Sequence, residues 1–522
     1  MEFIEASEAA AKIEDGSAIA LTGFGGMGQC DAVLKSIRDL YLRTGHPQNL
    51  SVFHAAGQSD GTNGLEYIAV EGLISKVVGG HWGLLPRMQQ LIEQNRVEAY
   101  CLPQGQLTHL FRTMANGLPG HFSMIGLGTF VDPNVEGGKF NDKAKASSDN
   151  RVEVVHILGS DYLFYKSVPI DYVLIRGTAI DEAGNVSVKE EPLKLEILAA
   201  AQAAKAQGGK VIVQVKYVVK HGTIHPKDVA IPGYLVDYAV VAKNPAQDHR
   251  QVPSAVYDPR YSGDLVVPDK ALPTLPFSVR KLIGRRAVKE LTPGAVVNLG
   301  IGIPGDVIGP VSAEKGLLEQ MVLTIESGVV GGVPAGKNQF GITVNAEAIL
   351  DHASQFDYYH GCGIDLTFMG AAQIDQYGNV NVSQFGGRKI GCGGFIDVTQ
   401  PAKKVVFCTT FTNGGLEVAV QDGKLEIVRE GRHSKFVCGV EQITFSGKYA
   451  AVHGKEVVYV TERAVFVLSE EGLVLTEIAP GVDLQRNILD VMDFAPIVSP
   501  DLKVMDEDIF HDVIRSAPME VT

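Results

Sequence analysis

Short apolar runs alternate with helix-forming stretches along most of this chain. Residues 193–206 (LKLEILAAAQAAKA) are strong helix formers throughout, and the glycine pair at 208–209 ends the predicted helix. Runs rich in valine and isoleucine are typical of strands buried on both faces of a parallel sheet; four of them lie at residues 211–215, 236–241, 296–299 and 405–408. Strand, helix and strand in succession predict α/β layers around mainly parallel sheets.

Two regions depart from this pattern. From about residue 456 the sequence alternates as VVYVTERAVFVL, which predicts half-exposed antiparallel strands. Residues 251–277 are rich in proline and turn-forming residues, which is typical of a linker. We therefore predict an N-terminal α/β domain over residues 1–260, a linker over 261–280 and a C-terminal α/β domain over 281–522.

The chain contains an internal repeat. Three glycines match three others at a constant offset of 277 residues: Gly23, Gly25 and Gly28 match Gly300, Gly302 and Gly305. The segment DEAGNV at 181–186 matches DQYGNV at 375–380 at an offset of 194. Because both pairs occur in the same order after strand-like runs, a duplicated α/β unit explains them. The two offsets differ by 83, so the first copy carries about that many extra residues between its markers.

Composition narrows the classes of protein. With 522 residues the chain is long enough for two to four domains, and its 45% hydrophobic and 20% charged content is ordinary for a globular protein. A formal net charge of -14 without a long basic run argues against nucleic-acid binding, although a local basic patch could hold a small anion.

Cysteine usage and the N-terminus indicate a compartment. The six cysteines form no C-x-x-C pair, which suits free thiols in a reducing compartment: Cys30, Cys101, Cys362, Cys392, Cys408 and Cys438. The acidic N-terminal sequence does not resemble a signal peptide, and no run of 18 apolar residues predicts a membrane span. We expect a cytoplasmic protein that does not bind membranes.

Two glycine-rich segments are candidate binding turns. Residues 23–28 satisfy G-x-G-x-x-G, but no acidic residue ends a second strand about 20 positions later, so a nicotinamide cofactor is disfavoured. This turn and its counterpart at 300–304 suit a structural turn as well as a ligand contact. Residues 384–395 hold five glycines within nine positions beside Arg388 and Lys389. Their backbone N–H groups could cradle an oxyanion or phosphate, or the segment is a solvated surface loop.

Glu326 is the first candidate for chemistry. It follows an apolar run at 321–325 and precedes Ser327 and Gly328. The end of a buried strand would fix the carboxylate, and a glycine turn would let another molecule approach it closely. This arrangement suits a nucleophile, although a carboxylate that caps a helix or faces water would have the same local sequence.

Other reactive groups are weaker candidates. Cys362 and Cys392 stand in glycine-rich stretches, but the sequence pairs no base with either thiol. His352 and His360 are eight residues apart, which is not a metal-ligand spacing. We expect neither a catalytic cysteine nor a metal site.

Several motifs then point to one family. They are PQG at 103–105, GLGTFVDP at 126–133, EGGK at 136–139, ESG at 326–328, SQFDYY at 354–359, GGFID at 393–397 and IAPGVD at 478–483. In these motifs and their order the chain resembles the family I coenzyme A transferases, in particular the single-chain short-chain acyl (acetate/propionate-type) enzymes. The resemblance implies two repeated open α/β units of the CoA-transferase/NagB-RpiA-like kind and a homo-oligomer.

The resemblance also implies a mechanism. Glu326 is expected to attack an acyl-CoA and to carry CoA as a γ-glutamyl thioester in a ping-pong reaction, with CoA as a substrate and no tightly bound cofactor or metal. Our own candidates for the supporting groups are Gly393 or Gly394 with Gln104 for the oxyanion, and Gly300, Gly302, Arg388 and Lys389 for CoA. Residues 53–57 (FHAAG) stand where the second copy has TIESG at 324–328. The first copy thus lacks the nucleophile, which predicts one site per chain between the two halves, with Gln104 and residues 126–133 supplied by the first half.

Three other functions remain open at this point. A short-chain acyl-CoA hydrolase on the same fold is the main alternative, followed by a non-catalytic binding protein and a nicotinamide-dependent dehydrogenase. The acids exchanged are not decided, because acetate, propionate, butyrate, lactate and acetoacetate differ by few atoms and each methylene gives about 1–3 kcal/mol of discrimination.

Overall fold

The computed structural model describes residues 1–268, 275–336, 339–511 and 519–520. Residues 269–274 of the predicted linker lie outside the described residues. The chain forms two compact units, and each contains several segments. The first unit comprises Met1–Val267, Glu326–Tyr358 and Gly386–Asp397; the second comprises Pro268–Ile325, Tyr359–Phe385 and Val398–Thr522. The domain limits drawn from the sequence at 260 and 281 remain a prediction.

The helices are short to medium in length. The α-helices are Ala6–Ala11, Asp31–Thr44, Pro86–Glu93, Gln104–Ala115, Asp142–Ala146, Ile197–Ala206, Pro245–Asp248, Pro259–Ser262, Val279–Ala287, Gly309–Glu314, His352–Gly361, Phe395–Thr399 and Gly447–Val452. Single turns of 3₁₀- or π-helix lie at Gly64–Tyr67, Pro226–Asp228, Gly233–Leu235, Val288–Glu290, Pro304–Ile308, Leu318–Gln320, Gln485–Leu489 and Glu507–Ile509. In the part of the chain that the structure describes, none of these helices has both the length and the apolar character needed to span a membrane.

The first unit is built on an eight-stranded sheet in which every neighbouring pair is parallel. In spatial order its strands are Glu2–Phe3, Tyr238–Val241, Lys210–Val215, Tyr172–Arg176, Ala18–Leu21, Leu50–His54, Ile74–Gly79 and Glu98–Cys101. The central strand Ala18–Leu21 is buried at every position. Continuous apolar runs are expected in a parallel sheet that is covered on both faces. The parallel strands that the sequence predicted in this unit are confirmed.

Smaller sheets complete the first unit. Three-stranded sheets are formed by Val186–Ser187, Ala179–Asp181 and Tyr217–Val219, and by Gly120–Ser123, Ser160–Lys166 and Val152–Ile157. Antiparallel pairs join Val329–Val330 to Ala348–Ile349 and Val333–Pro334 to Thr343–Val344, and a short strand lies at Arg388–Lys389.

The second unit repeats the parallel core and extends it. Its main strands follow the spatial order Val322–Thr324, Val296–Leu299, Leu366–Gly370, Lys404–Cys408, Glu456–Val460, Ala464–Ser469, Gly472–Ile478 and Ile497–Val504. The first five are parallel, and the hairpins after Val460 are antiparallel. Further strands are Gln373–Asp375, Val380–Asn381, Gln384–Phe385, Thr412–Asn413, Glu417–Gln421, Lys424–Arg429, His433–Ser434, Phe436–Val437 and Met519–Glu520.

The internal repeat is visible in the hydrogen bonds of one turn in each unit. In the first unit Asp181 Oδ1 accepts from Asn185 N at 2.8 Å, and Asn185 Oδ1 accepts from Gly233 N at 2.9 Å. In the second unit Asp375 Oδ1 accepts from Asn379 N at 3.0 Å, and Asn379 Oδ1 accepts from the N–H of Gly447 at 2.9 Å. Two turns that share residue types and bonds at an offset of 194 support the duplicated α/β unit.

Two details of the sequence prediction are wrong. The helix predicted from residue 193 begins at Ile197, because Leu195 has a positive φ of 55° and the following residue is drawn into a buried hydrogen bond. The strands after residue 456 pair antiparallel as predicted, but they are not half-exposed: Val457–Val460 and Ala464–Phe466 are buried. An alternating pattern with Thr, Glu and Arg is compatible with burial here since Glu462 and Arg463 bond each other at 2.7 Å.

Candidate active site

Glu326 lies in a tight turn and is partly exposed, although its neighbours Ile325 and Ser327 are buried. Ser327 Oγ donates to the carbonyl of Gly341 at 2.5 Å, and the N–H of Leu350 donates to Gly328 O at 2.8 Å. Gly328 has φ +109°, and a Cβ there would lie 2.4 Å from Leu350 O, so the turn requires glycine. The backbone is thus fixed on both sides of the one partly exposed carboxylate in this turn.

The helix Gln104–Ala115 begins at a buried carboxylate. Asp397 is fully buried, and its Oδ2 accepts from Gly105 N at 2.8 Å while its Oδ1 accepts from Gln106 Nε2 at 2.9 Å. A negative charge at a helix N-terminus is favourable because unpaired N–H groups point at it. Residues from both halves of the sequence therefore meet within the first unit.

The glycine loop connects this helix start to Glu326. Gln104 N donates to the carbonyl of Gly393 at 3.0 Å, and the N–H of Gly393 donates to Gly80 O at 2.7 Å. A Cβ placed on Gly394 would lie 3.2 Å from Cγ of Glu326. The N–H of Gly394 donates no hydrogen bond to another residue among those the structure describes. Glu326, Gly393, Gly394 and Gln104, which the sequence analysis singled out, are thus brought together.

The basic residues of the same loop lie apart from this group. Arg388 is exposed, whereas the buried part of the loop begins at Gly391. Lys389 Nζ lies 5.3 Å from the centre of the Phe140 ring, its N–H donates to Glu93 Oε1 at 3.2 Å, and burial lowers its pKa. The segment 384–395 is therefore exposed around Arg388 and buried from Gly391 onward, so the two interpretations made from the sequence each describe only part of it.

Gly300 and Gly302 belong to the second unit. The N–H of Gly300 donates to Phe368 O at 2.9 Å, and a Cβ on Gly300 would lie 2.6 Å from Sδ of Met369. Gly302 has φ +88°, and a Cβ placed on it would meet open space. Gly300 is therefore required for close packing in the sheet. Contact of Gly300 or Gly302 with CoA stays a prediction.

The matching glycine turn of the first unit is also a packing device. Gly25 N donates to the carbonyl of Gly57 at 2.7 Å. A Cβ on Gly28, whose φ is +81°, would lie 2.5 Å from Leu195 Cδ1. These glycines are needed for close packing, which accounts for the G-x-G-x-x-G pattern without a dinucleotide.

Sequence reasoning missed a buried hydrogen-bonded pair beside Gln104, formed by His352 and Glu196. His352 Nδ1 lies 2.7 Å from Glu196 Oε2, and its Nε2 lies 2.9 Å from Nε2 of Gln104. The imidazole is flanked by the rings of Phe24 and Phe356, at centroid distances of 6.0 and 5.5 Å. A histidine two residues before the SQFDYY motif was the available signal, but its partner is 156 residues away in sequence.

An ion-pair cluster fastens the far end of the same helix. Arg112 donates to Asp351 Oδ1 and to Ser354 Oγ, both at 2.8 Å, and also contacts Asp357. His109 lies 3.0 Å from Asp357, and this hydrogen bond, with Arg112, holds the pKa of Asp357 at about 2. The helix Gln104–Ala115 is thus held at both ends to segments from the second half of the sequence.

The thiol of Cys392 is not activated as a nucleophile. Cys101 Sγ and Cys392 Sγ lie 3.8 Å apart in the buried interior. Burial raises the pKa of Cys392 well above its ordinary value, so the group is a thiol and not a nucleophilic thiolate. The expectation that Cys392 is not catalytic gains a physical reason.

A cavity of about 550 Å³ is lined in part by Glu196, the buried partner of His352. Its wall includes Leu193, Leu195, Glu196 and Ile197, and Arg112 and Asp351 also line it. Lys189, Lys194 and Lys227 stand at the same cavity. The volume of this cavity is within the range of small-molecule binding sites. The sequence analysis did not predict it.

Comparisons with known proteins show the family of this chain. The family model described as Coenzyme A transferase matches residues 3–242. The caffeate CoA-transferase of Acetobacterium woodii is 46% identical over 98% of this chain and 98% of its own length. The acetate CoA-transferase YdiF of Escherichia coli strain K12 is 44% identical over 98% of this chain and 95% of its own length.

Solved structures of the acyl-CoA transferase YdiF from Escherichia coli O157:H7 have the same fold. The apoenzyme has a TM-score of 0.92 at 43% identity, covering 98% of this chain and 96% of its own. A thioester complex of that protein with CoA has a TM-score of 0.91 at the same identity and coverage. This protein is accordingly an enzyme that transfers coenzyme A between acids, and it belongs to the family I coenzyme A transferases.

Proposed function

We propose that this enzyme moves CoA between short-chain carboxylic acids through a γ-glutamyl-CoA thioester on Glu326. The observation that carries the proposal is the geometry of Glu326: a partly exposed carboxylate on a rigid, otherwise buried turn, with Gly394 against its Cγ. A carboxylate is a weak nucleophile in water, so a site must remove water and hold it against the thioester.

The reaction follows four bond exchanges. A Glu326 carboxylate oxygen attacks the acyl-CoA carbonyl, and CoA leaves as a thiolate from a mixed acyl-glutamyl anhydride. The thiolate attacks the glutamyl carbonyl of the anhydride, the donor acid leaves as its carboxylate, and Glu326 holds CoA as a thioester. An acceptor carboxylate then reverses both steps and leaves as its CoA ester. The thioester is conserved between donor and acceptor, and no proton or electron is gained or lost.

Stabilisation of the tetrahedral oxyanions falls to Gly394 and Gln104. The Gly394 N–H donates to no other described residue, whereas the Gly393 N–H is already bonded to Gly80 O. Of the two glycines proposed from the sequence, Gly394 is therefore the better donor. A preorganised backbone N–H is worth about 10²–10³ in rate when it is aimed at a developing oxyanion.

The preferred acids are proposed from the relatives. The YdiF relative is named for acetate, and the relative from Acetobacterium woodii is named for caffeate. We propose short-chain acids such as acetate and propionate, with an aromatic acid of the caffeate type as the second candidate. Both relatives cover nearly the whole chain, so coverage does not favour either acid. A direct competition between acetyl-CoA and caffeoyl-CoA as substrates decides which acid the enzyme prefers.

Contacts with the CoA arm and assembly are further parts of the proposal. Gly300, Gly302, Arg388 and Lys389 are proposed to contact CoA, and the enzyme is proposed to be a cytoplasmic homo-oligomer. Hydrolysis of the same thioester is less favoured, since the similar proteins are named as transferases. Binding energy from the long CoA arm would be used at the reacting carbonyl, as expected for a substrate with a large non-reacting part.

The test is mass spectrometry of the protein after incubation with acetyl-CoA or propionyl-CoA without an acceptor. We expect a CoA-sized adduct on the peptide that contains Glu326, discharged by added carboxylate. Glu326→Gln should give no adduct, and Glu347→Gln should react like the wild type because that carboxylate is exposed. Loss of the wild-type adduct in buffer alone at the rate of acid production would favour a hydrolase. Absence of an adduct during measurable CoA exchange would refute the glutamyl intermediate.

A further inference from the structure

A buried pair of ionisable residues contacts Gln104, one of the two groups proposed to stabilise the oxyanion. The side chains of Glu196 and His352 are completely buried, and Nδ1 and Oε2 are 2.7 Å apart. The second carboxylate oxygen of Glu196, Oε1, has no hydrogen-bond partner among the described residues. A buried charge is costly unless it is paired, so the imidazole N–H compensates this carboxylate.

The chemistry of this pair fixes the direction of the hydrogen bonds. A carboxylate only accepts, so Nδ1 of His352 donates its N–H to Oε2 of Glu196. Nε2 of His352 lies 2.9 Å from the amide nitrogen of Gln104, and because an amide nitrogen only donates, Nε2 is the acceptor. The amide is consequently oriented with its nitrogen toward His352, while its Oε1 lies 3.8 Å from the place of a Cβ on Gly393.

We propose that His352 and Glu196 are positioning residues that hold the Gln104 carboxamide in one orientation for the reaction at Glu326. The inference rests on the proposed function, because Gln104 touches the reacting atoms only if Glu326 is the nucleophile. With one amide N–H donated to His352, the other N–H faces away from the imidazole and is the group left for the substrate oxyanion.

The surrounding fold holds the imidazole in place. The backbone N–H of His352 donates to Leu195 O at 3.2 Å, and Leu195 has a positive φ of 55°, which is unfavourable for a residue with a side chain. Gly28 leaves room for the Leu195 side chain, and Phe24 and Phe356 flank the ring. The unusual backbone at Leu195 brings Glu196 under the histidine in place of a longer helix.

The experiment is a double-mutant cycle between Glu196→Gln and Gln104→Ala. Glutamine has the shape of glutamate, but its amide can either donate to or accept from Nδ1 of His352. The Glu196→Gln variant therefore no longer enforces one tautomer of His352 or one orientation of the Gln104 amide. We expect Glu196→Gln to lower kcat and the rate of CoA adduct formation about tenfold, with KM for acyl-CoA within about twofold of the wild type. In the Gln104→Ala protein the same change should have no further effect.

A matched control separates positioning from general damage. Glu66 is also a buried glutamate, and its Oε1 accepts from Arg87 N at 2.6 Å in the first unit. Glu66→Gln should leave kcat unchanged, and fluorescence of Trp82, the single tryptophan, reports whether each variant is folded. His352→Gln keeps a polar group toward Gln104 and should retain more activity than His352→Phe.

Two results overturn the inference. One is an unchanged kcat in folded Glu196→Gln. The other is an equal loss of kcat from Glu196→Gln with and without Gln104. Failure of the proposed function is recognised separately, since steady-state CoA exchange would then continue without any adduct on the Glu326 peptide. The cycle measured on steady-state exchange still decides whether the pair acts through Gln104.

Discussion

The contact between Gly394 and Glu326 predicts a specific effect of adding one methyl group. The Cβ of Gly394→Ala would lie 3.2 Å from Glu326 Cγ and 3.6 Å from its Cβ, and 3.5 Å from Cζ of Phe356. The first distance is a few tenths of an ångström shorter than an ordinary contact between carbon atoms. Gly394 has no positive φ, so alanine fits its backbone conformation and the strain falls on the side chain of Glu326.

The size of the effect follows from that distance. A misplacement of 1 Å in a reacting group can cost about 10²-fold in rate, so a shift of a few tenths of an ångström at Glu326 should cost about fivefold to tenfold. Tenfold corresponds to about 1.4 kcal/mol in the activation free energy. We expect this loss in the rate of CoA adduct formation, followed by quenched samples and intact mass spectrometry, with little change in the free energy of unfolding.

The matched control is Gly439→Ala, where a Cβ would meet open space and φ is not positive. It should form the adduct at the wild-type rate. An unchanged adduct rate in Gly394→Ala would refute the contact with Glu326 on which the proposed mechanism depends. A large loss of stability in that variant would instead place the strain in the backbone and contradict the reasoning about Gly394.

Three further predictions concern acid stability, the thiols and the helix start. Burial lowers the pKa of His54 from 6.5 to about 4, so the stability it contributes is complete above pH 6.5 and falls as the pH drops toward 4. Glutamine cannot titrate, so between pH 7 and pH 4.5 the unfolding free energy of His54→Gln should fall by about 2.5 kcal/mol less than that of the wild type. Unfolding is followed by the fluorescence of Trp82, which is hydrogen-bonded to His54. An equal fall in both proteins contradicts the lowered pKa of His54. Cys392→Ala should form the CoA adduct at the wild-type rate and lose about 1 kcal/mol of stability by denaturant titration, whereas a catalytic thiol requires complete loss of exchange. Gly105→Ala would place a Cβ 2.6 Å from a buried carboxylate oxygen and should lower the unfolding free energy by about 1–3 kcal/mol; full stability in that variant would contradict the packing at the helix start.

The strands of the parallel core were predictable from the sequence. A short run of valine and isoleucine that has no polar face is typical of a strand buried on both sides. The strands Lys210–Val215 and Val296–Leu299 were found in this way. The helix expected from residue 193 begins late because Leu195 and Glu196 bond to His352, which a local propensity cannot register. Contacts across 156 residues decide that boundary.

The reactive carboxylate was predictable from its local sequence and a family motif, whereas its support was not. Glu326 follows a strand and precedes a glycine, and both features are visible in sequence. Asp397 ends the GGFID motif and His352 stands two residues before SQFDYY, but neither motif indicates a partner, because each residue acts on a helix or amide from the other half of the chain. The identity of such a partner requires the fold.

The duplicated plan also explains why the first copy needs no nucleophile. Its counterpart to the Glu326 turn, Ala55 to Gly57, is closely packed: a Cβ on Gly57 would lie 2.8 Å from His81 Nδ1. Ala55 O accepts from the N–H of Gly80 at 3.1 Å, and Gly80 O accepts from the N–H of Gly393 at 2.7 Å. The turn without a carboxylate thus anchors the glycine loop that lies against the turn with one. Ala55, the position that matches Glu326, is completely buried, so we expect a glutamate there to disturb this anchor and predict one reactive carboxylate per chain.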